Sequence, residues 1–370
     1  MRYVPHLRFP EFSGEWEEKR LAEIADLYKG CGISKDQLSD TGELCILYGE
    51  LYTKYKSEVI SEVVSKTNID TEKLVRSKAN DVIIPCSGET AEDIATARCV
   101  PYDNILLGGD MNIIRLHNVD GSFMSYQLNG KRKYDIAKGA QGVSVVHLYG
   151  EHLKTVRTYI PSIEEQTKIA KLLSLLDERI ATQNKIIEKY ESLINGIAHK
   201  VSKQGKPNVL ISDCLQCSSS TLQECDVADD GIYPVYGANG IAGYLDTYST
   251  SNEAIYIIKD GSGVGTAIYV NGKCSAIGTL NILQSKSGYA LKYLYFILQV
   301  FSFEPYKTGM AIPHIYFKDY GKAKIYCPSY ELQIKYADLL SKIEQKKITE
   351  QHILRDLRKQ KKYFLSQMFI

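Results

Sequence analysis

After Pro161, apolar residues fall at Ile169, Leu173, Leu176, Ile180, Ile187, Tyr190, Ile194, Ile197 and Val201, in alternating steps of four and three that only Gln183 interrupts. No proline breaks the run, and its first glycine is Gly196. A 3.5-residue period over four heptads predicts a long helix with a coiled-coil seam, and forty such residues make a rod of about 60 Å. The pattern returns 167 positions later at Tyr336, Leu340, Ile343, Lys347, Glu350, Leu354, Leu357, Lys361, Phe364 and Met368, seven of them apolar. Neither stripe is stable alone, because an amphipathic helix needs a partner face. Pairing of the two rods within the chain, antiparallel, is favoured over homodimerisation through each rod.

The two rods are copies. Residues 161–177 (PSIEEQTKIAKLLSLLD) and 328–344 (PSYELQIKYADLLSKIE) share 9 of 17 positions. At the same offset GVSVVHLY (142–149) faces GMAIPHIY (309–316), matching Gly142 with Gly309, His147 with His314 and Tyr149 with Tyr316. Ser162 and Ser329 stand at N-cap positions, and Glu165 is placed to close a capping box with Ser162. The blocks before each rod alternate differently. Asp81-Val-Ile-Ile-Pro, Asn112-Ile-Ile-Arg-Leu, Ala254-Ile-Tyr-Ile-Ile and Thr266-Ala-Ile-Tyr-Val are short β-prone runs bounded by glycine turns. Shorter helices are expected at Trp16–Leu27, Ser122–Lys133 and Tyr289–Val300. The expected fold is α+β: two similar globular domains with curled, mainly antiparallel sheets, separated by two long helices. The boundaries read as 1–160 and 205–327 for the domains, and 161–204 and 328–370 for the helices.

Composition refines this picture. The chain has 370 residues, 45 Lys+Arg against 44 Asp+Glu, and 44% hydrophobic residues, which suits globular domains and excludes a strongly basic coat for nucleic acid. Residues 1–160 carry a net −3, 205–327 a net −1, and the helices +1 and +4. Tyrosine stands out, with 27 Tyr against 9 Phe and 1 Trp. Nine cysteines follow no disulfide framework, and the single Cys214-x-x-Cys217 with Cys225 nearby lacks a second pair or spaced histidines for zinc, so no metal is expected. The start, MRYVPHLRFPEF, has no apolar leader, and the longest apolar run, Tyr293–Phe303, is too short for a bilayer. A cytoplasmic chain with reduced thiols is expected.

Several motifs together resemble the specificity subunit of type I restriction-modification enzymes. Each rod opens with a Pro-x-x-Glu-x-Gln-like stretch, at Pro161…Glu165-Gln166 and Pro328…Glu331…Gln333, and each is preceded by Gly-(apolar)-x-(apolar)-x-His-(apolar)-Tyr. The opening Pro5-His-Leu-Arg-Phe-Pro-Glu-Phe…Trp16 and the run Tyr233-Pro-Val-Tyr-Gly-Ala-Asn-Gly-Ile-Ala-Gly-Tyr244 are similar to that family's start and target recognition domains. Residues 1–160 lack the second run. The resemblance implies that each domain reads one half of a bipartite double-stranded DNA sequence and that the helices set the gap. It also implies docking of adenine-methylating modification subunits, two of them, and of restriction/translocase subunits.

The chain itself offers no chemistry. It has no Gly-x-x-x-x-Gly-Lys-(Ser/Thr) phosphate loop and no Asn/Asp-Pro-Pro-aromatic element, so no cofactor and no catalytic residue is assigned. Gly261-Ser-Gly-Val-Gly lies between two strand patterns and reads as a turn. For DNA contact the candidates are polar, aromatic and basic residues on glycine-rich loops, since base edges are read by donors and acceptors. In the first domain these are Tyr48, Tyr52, Lys54, Tyr55 and Lys56, with Ser87, Gln141 and Ser144 beside glycines. In the second they are Tyr236, Asn239, Tyr248, Lys259, Ser262 and Lys307. A shared structural role is favoured for His147 and His314. Two tyrosine-rich domains on a stalk would also suit a protein- or glycan-binding scaffold, a reading that leaves the family motifs unexplained.

Overall fold

The computed structural model describes residues 3–70, 72–142 and 145–370. The two predicted rods are continuous helices, Ile163–Ser202 and Tyr330–Gln367. The Ser162 hydroxyl accepts the Glu165 N–H at 3.4 Å, as an N-cap should. The capping box does not close. The Glu165 carboxylate instead accepts two bonds from Arg8, at 2.8 and 2.7 Å, and a bidentate charge-assisted pair in a buried place outweighs a bond to a terminal N–H.

The duplicated Pro-x-x-Glu-x-Gln stretch has a structural purpose. Gln166 is buried, accepts the Asp120 N–H at 2.9 Å and donates to the Pro161 carbonyl at 2.8 Å. Gln333 is buried likewise, accepting the Ala290 N–H at 3.0 Å and donating to the Pro328 carbonyl at 2.9 Å. Asp120 and Ala290 are the N-caps of helices Gly121–Asn129 and Leu291–Gln299. Each glutamine therefore satisfies an otherwise orphaned N–H at a short helix's start and ties it to the start of a long one.

The chain divides into two compact units, Met1–Gln183 with Ile353–Ile370, and Asn184–His352. In the first, a four-stranded antiparallel sheet runs in the order Ala25–Lys29, Met111–Leu116, Asp81–Pro85, Arg98–Val100. In the second, the order is Leu215–Ser219, Leu280–Ser285, Ala254–Ile258, Ala267–Val270, again antiparallel. The central strands Asp81–Pro85 and Ala254–Ile258 are buried throughout, as continuous apolar runs should be. Each unit adds a second sheet, of five strands in the first and three in the second, in which Glu43–Ile46 pairs in parallel with Leu106–Leu107, and Tyr233–Gly237 with Ser275–Ala276. That register puts Cys45 and Ile46 where the other unit has Val235 and Tyr236. The first unit thus possesses a counterpart of the Tyr-Pro-Val-Tyr-Gly strand, built from other residues.

The long helices pack antiparallel inside each unit. In the first, Ile169, Leu173 and Leu176 share a core with Leu357, Phe364, Met368, Trp16 and Phe123. In the second, Ile194, Ala198 and Val201 share one with Ala337 and Leu340, and Tyr336 donates its hydroxyl to Gln204 at 2.6 Å. The shorter helices expected near 122–133 and 289–300 are present at Gly121–Asn129 and Leu291–Gln299. The helix expected over Trp16–Leu27 is not. Glu17–Arg20 is a strand paired with Arg157–Ile160, one helical turn follows at Leu21–Ile24, and Ala25–Lys29 joins the main sheet. Leu21 and Ile24 are buried at helical spacing over that single turn, while strand pairing on both sides overrides the longer pattern.

Candidate nucleic-acid interface

Each central strand runs on, through Cys86 into the two-residue strand Ser87–Gly88 in the first unit and into a Lys259-Asp260-Gly261 loop in the second. A second loop returns across it in the same way in both. Gln141 and His147 exchange backbone bonds of 2.9 and 2.7 Å, and Thr308 and His314 exchange bonds of the same lengths. Leu148 N–H donates to the Cys86 carbonyl, and Ile315 N–H to the Lys259 carbonyl, both at 2.9 Å. The matched histidines then clamp the two loops together. His147 Nδ1 lies 3.3 Å from Ser87 Oγ, and His314 Nδ1 lies 2.7 Å from Asp260 Oδ1. The loops turn at Gly142 and Gly309, whose φ angles are +129° and +87°. A Cβ there would meet the Val145 or Ile312 carbonyl oxygen at 2.1 or 2.3 Å, so both turns require glycine.

In the first unit Tyr48, Tyr52 and Ser87 come together. They line a cleft of about 730 Å³ with Gly88, Glu89, Asp93 and Val145. The Tyr52 hydroxyl donates to the Ser87 carbonyl at 2.9 Å, and burial pushes its acidity down. Lys54 turns away to Glu50 and Ser65, both at 2.7 Å, and Lys56 donates to the Tyr52 carbonyl at 2.7 Å. Tyr55, by contrast, is 7% exposed and packs in the core with Leu51 and Ile60. The chain leaves the single helical turn Glu50–Thr53 just before it, so residues three apart diverge. Gln141 is exposed at the clamped loop, its amide nitrogen 3.4 Å from His152 Nε2. Ser144 lies outside the described residues.

In the second unit Lys259 precedes the glycine turn and Ser262 lies within it, and its Gly261, Gly263 and Gly265 all have positive φ. Lys307 leads into the clamped loop and pairs with Glu304 at 2.5 Å. Asn239 is exposed in the turn after strand Tyr233–Gly237, and Tyr236 packs edge-on against Tyr256 with ring centres 5.8 Å apart. Tyr248 does not join this group. It stands by Tyr233, the other end of that strand, with ring centres 5.0 Å apart, and Lys273 sits 4.8 Å above its ring. Charge interaction with the Tyr233 and Tyr248 phenol groups holds the Lys273 ammonium pKa up. Lys273 was missed by sequence reasoning, as were Glu89 and Asp93. An Asn271-Gly272 turn just before the lysine was the available signal.

Among the described residues no cluster of three His, Cys, Asp or Glu side chains is placed to hold a metal, and no helix is long and apolar enough to cross a membrane. Cys214 Sγ lies 3.9 Å from Cys327 Sγ, whereas Cys225 is exposed. Burial pushes the Cys86 and Cys217 thiols up to about 11, far from a reactive thiolate.

Two copies of one sheet order, each carrying a clamped loop pair and each packed on segments of both long helices, make a duplicated scaffold. The sequence agrees with the type I restriction modification DNA specificity domain over residues 13–192 and 214–359, and the chain belongs to that family. It is 27% identical over 202 residues to the type I restriction enzyme MjaVIII specificity subunit of Methanocaldococcus jannaschii, covering 54% of this chain and 44% of that one. It is 26% identical over 113 residues to the EcoprrI specificity subunit of Escherichia coli, covering 30% and 28%. The matched part spans less than half the length of either curated relative. The fold is similar to the crystal structure of a type I restriction-modification S subunit from M. genitalium, with a TM-score of 0.67, 19% identity and 99% of both chains covered. A chain from a study of complex assembly and conformational transition in the type I R-M system gives a TM-score of 0.54 at 14% identity, over 96% and 97%.

Proposed function

We propose that this chain is the DNA-recognition subunit of a type I restriction-modification complex, non-catalytic and cytoplasmic. Residues 1–160 and 205–327 are the target recognition domains, each reading one half of a bipartite double-stranded sequence. Helices 161–204 and 328–370 set the spacing and dock two modification subunits, with restriction/translocase subunits joining for cleavage. The observation that carries this reading is the duplication. One scaffold, repeated down to its histidine clamp, presents different side chains at the clamped loops, which is what an asymmetric two-part target requires.

The first reader uses Tyr48, Tyr52, Ser87 and Gln141, with Lys54 and Lys56 nearby. Its cleft carries Glu89 and Asp93, which suit the exocyclic amino group of a base and repel phosphate. The second uses Tyr236, Asn239, Lys259, Ser262 and Lys307, with Tyr248 and Lys273 as a separate backbone contact. Ser144 stays a candidate on its sequence position alone. The test is reconstitution. Co-produced modification subunits should co-purify with this chain and transfer methyl groups to adenine only when it is present. Retained methylation without it, or no complex at all, would sink the assignment.

A further inference from the structure

The clamped loops end in an unusual surface. Met310 is fully exposed at 106%, and Ile312 is 57% exposed, both on a turn that is closed at its base. Gly309 supplies the turn, the Thr308–His314 bonds close it, and Gly261 N–H donates to the Pro313 carbonyl at 3.0 Å. Val145 is the counterpart of Ile312 in the first unit, and it is 51% exposed beside an equivalent glycine turn. Apolar side chains exposed at the matching place in both units, on a closed turn in the second, point to a partner.

The chemistry narrows that partner. Methionine and isoleucine side chains make no hydrogen bond to base edges and no ion pair with phosphate, so they carry no sequence code. They are the residue types that groove-binding proteins wedge between base steps. Two readers with different loop residues share this element, as a sequence-independent contact would be shared. A stable protein interface needs about 1,000 Å² of total buried surface, more than a three-residue tip offers.

We propose that Met310 and Ile312 in the second unit, and Val145 in the first, insert as apolar wedges at a base step of the half-site their unit reads. This rests on the DNA-reading function proposed above. The test uses the complex of the full chain with its modification subunits and duplexes carrying the methylated motif. 2-Aminopurine is moved stepwise through both half-sites, away from the methylated adenine. With the wild-type complex, fluorescence should rise at one step in each half-site. With Met310→Ala/Ile312→Ala the signal in one half-site should fall to that of free duplex, with roughly tenfold weaker binding. Equal fluorescence from the two complexes overturns the wedge. So does loss of modification subunits from the variant, which would make the tip a protein contact. A wild-type complex that methylates no two-part motif overturns instead the reading on which the wedge rests.

Discussion

Lys361 is partly buried, with its ammonium 2.5 Å from Asp177 Oδ1 and bonded also to Glu58, while Asp177 Oδ2 accepts the Tyr126 hydroxyl at 2.8 Å. One ammonium shared by two carboxylates explains why this seam position of the second helix is not apolar. Desolvation, with the Glu58 charge second, holds the Asp177 carboxyl above the ordinary range. The folded chain therefore keeps that proton to higher pH than the unfolded one, so the group favours folding at low pH and loses this contribution as pH rises through its folded pKa. Lys361→Ala should cost about 3–5 kcal/mol near pH 7 and recover part of it toward about pH 4. Urea unfolding followed by Trp16, the single tryptophan, reads this locally. No loss, or a loss that grows on acidification, would contradict it. At this scale the site was partly legible. Tyr48, Tyr52 and Ser87 sit by glycine turns that mark exposed loops, but nothing in the order of residues separates outward Tyr52 from buried Tyr55. The histidines matched across the repeat, yet their partners, Ser87 and Asp260, differ in type and lie 60 and 54 positions away, so the clamp was invisible.

Among the elements, the long helices were readable because a 3.5-residue repeat free of proline admits little else. Residues 16–27 were not, because Glu17–Arg20 gains its structure from a distant strand, as in Lys19 opposite Thr158, 139 positions on. The two clamping glutamines make a paired prediction. Gln166→Ala leaves the Asp120 N–H and the Pro161 carbonyl unsatisfied, and Gln333→Ala does the same to Ala290 and Pro328, at about 1–3 kcal/mol for each buried group. Hydrogen exchange at Asp120 in one variant and Ala290 in the other should quicken by about tenfold or more, each without effect on the other unit. Unchanged exchange would show that the glutamines hold nothing. Leu173→Ala, in the fully buried seam of the first unit, should cost about 2–5 kcal/mol by the same Trp16 readout.

For the whole molecule, a near-neutral chain with slightly acidic readers should bind random duplex weakly at physiological salt, because phosphate contacts dominate such affinity. Tight salt-resistant binding by the isolated chain would contradict that. Inserting one heptad after Gln183 and another before Ile353 lengthens each helix by about 10 Å, close to three base pairs. The gap between half-sites should widen while both half-sites persist, and an altered half-site would count against separate readers. The most direct test of the account is a map of methylated adenines in cells that carry this chain with its modification subunits. It should show one motif in two defined parts with a fixed unspecified gap. A single uninterrupted motif, or methylation that does not depend on this chain, would contradict the two-reader account.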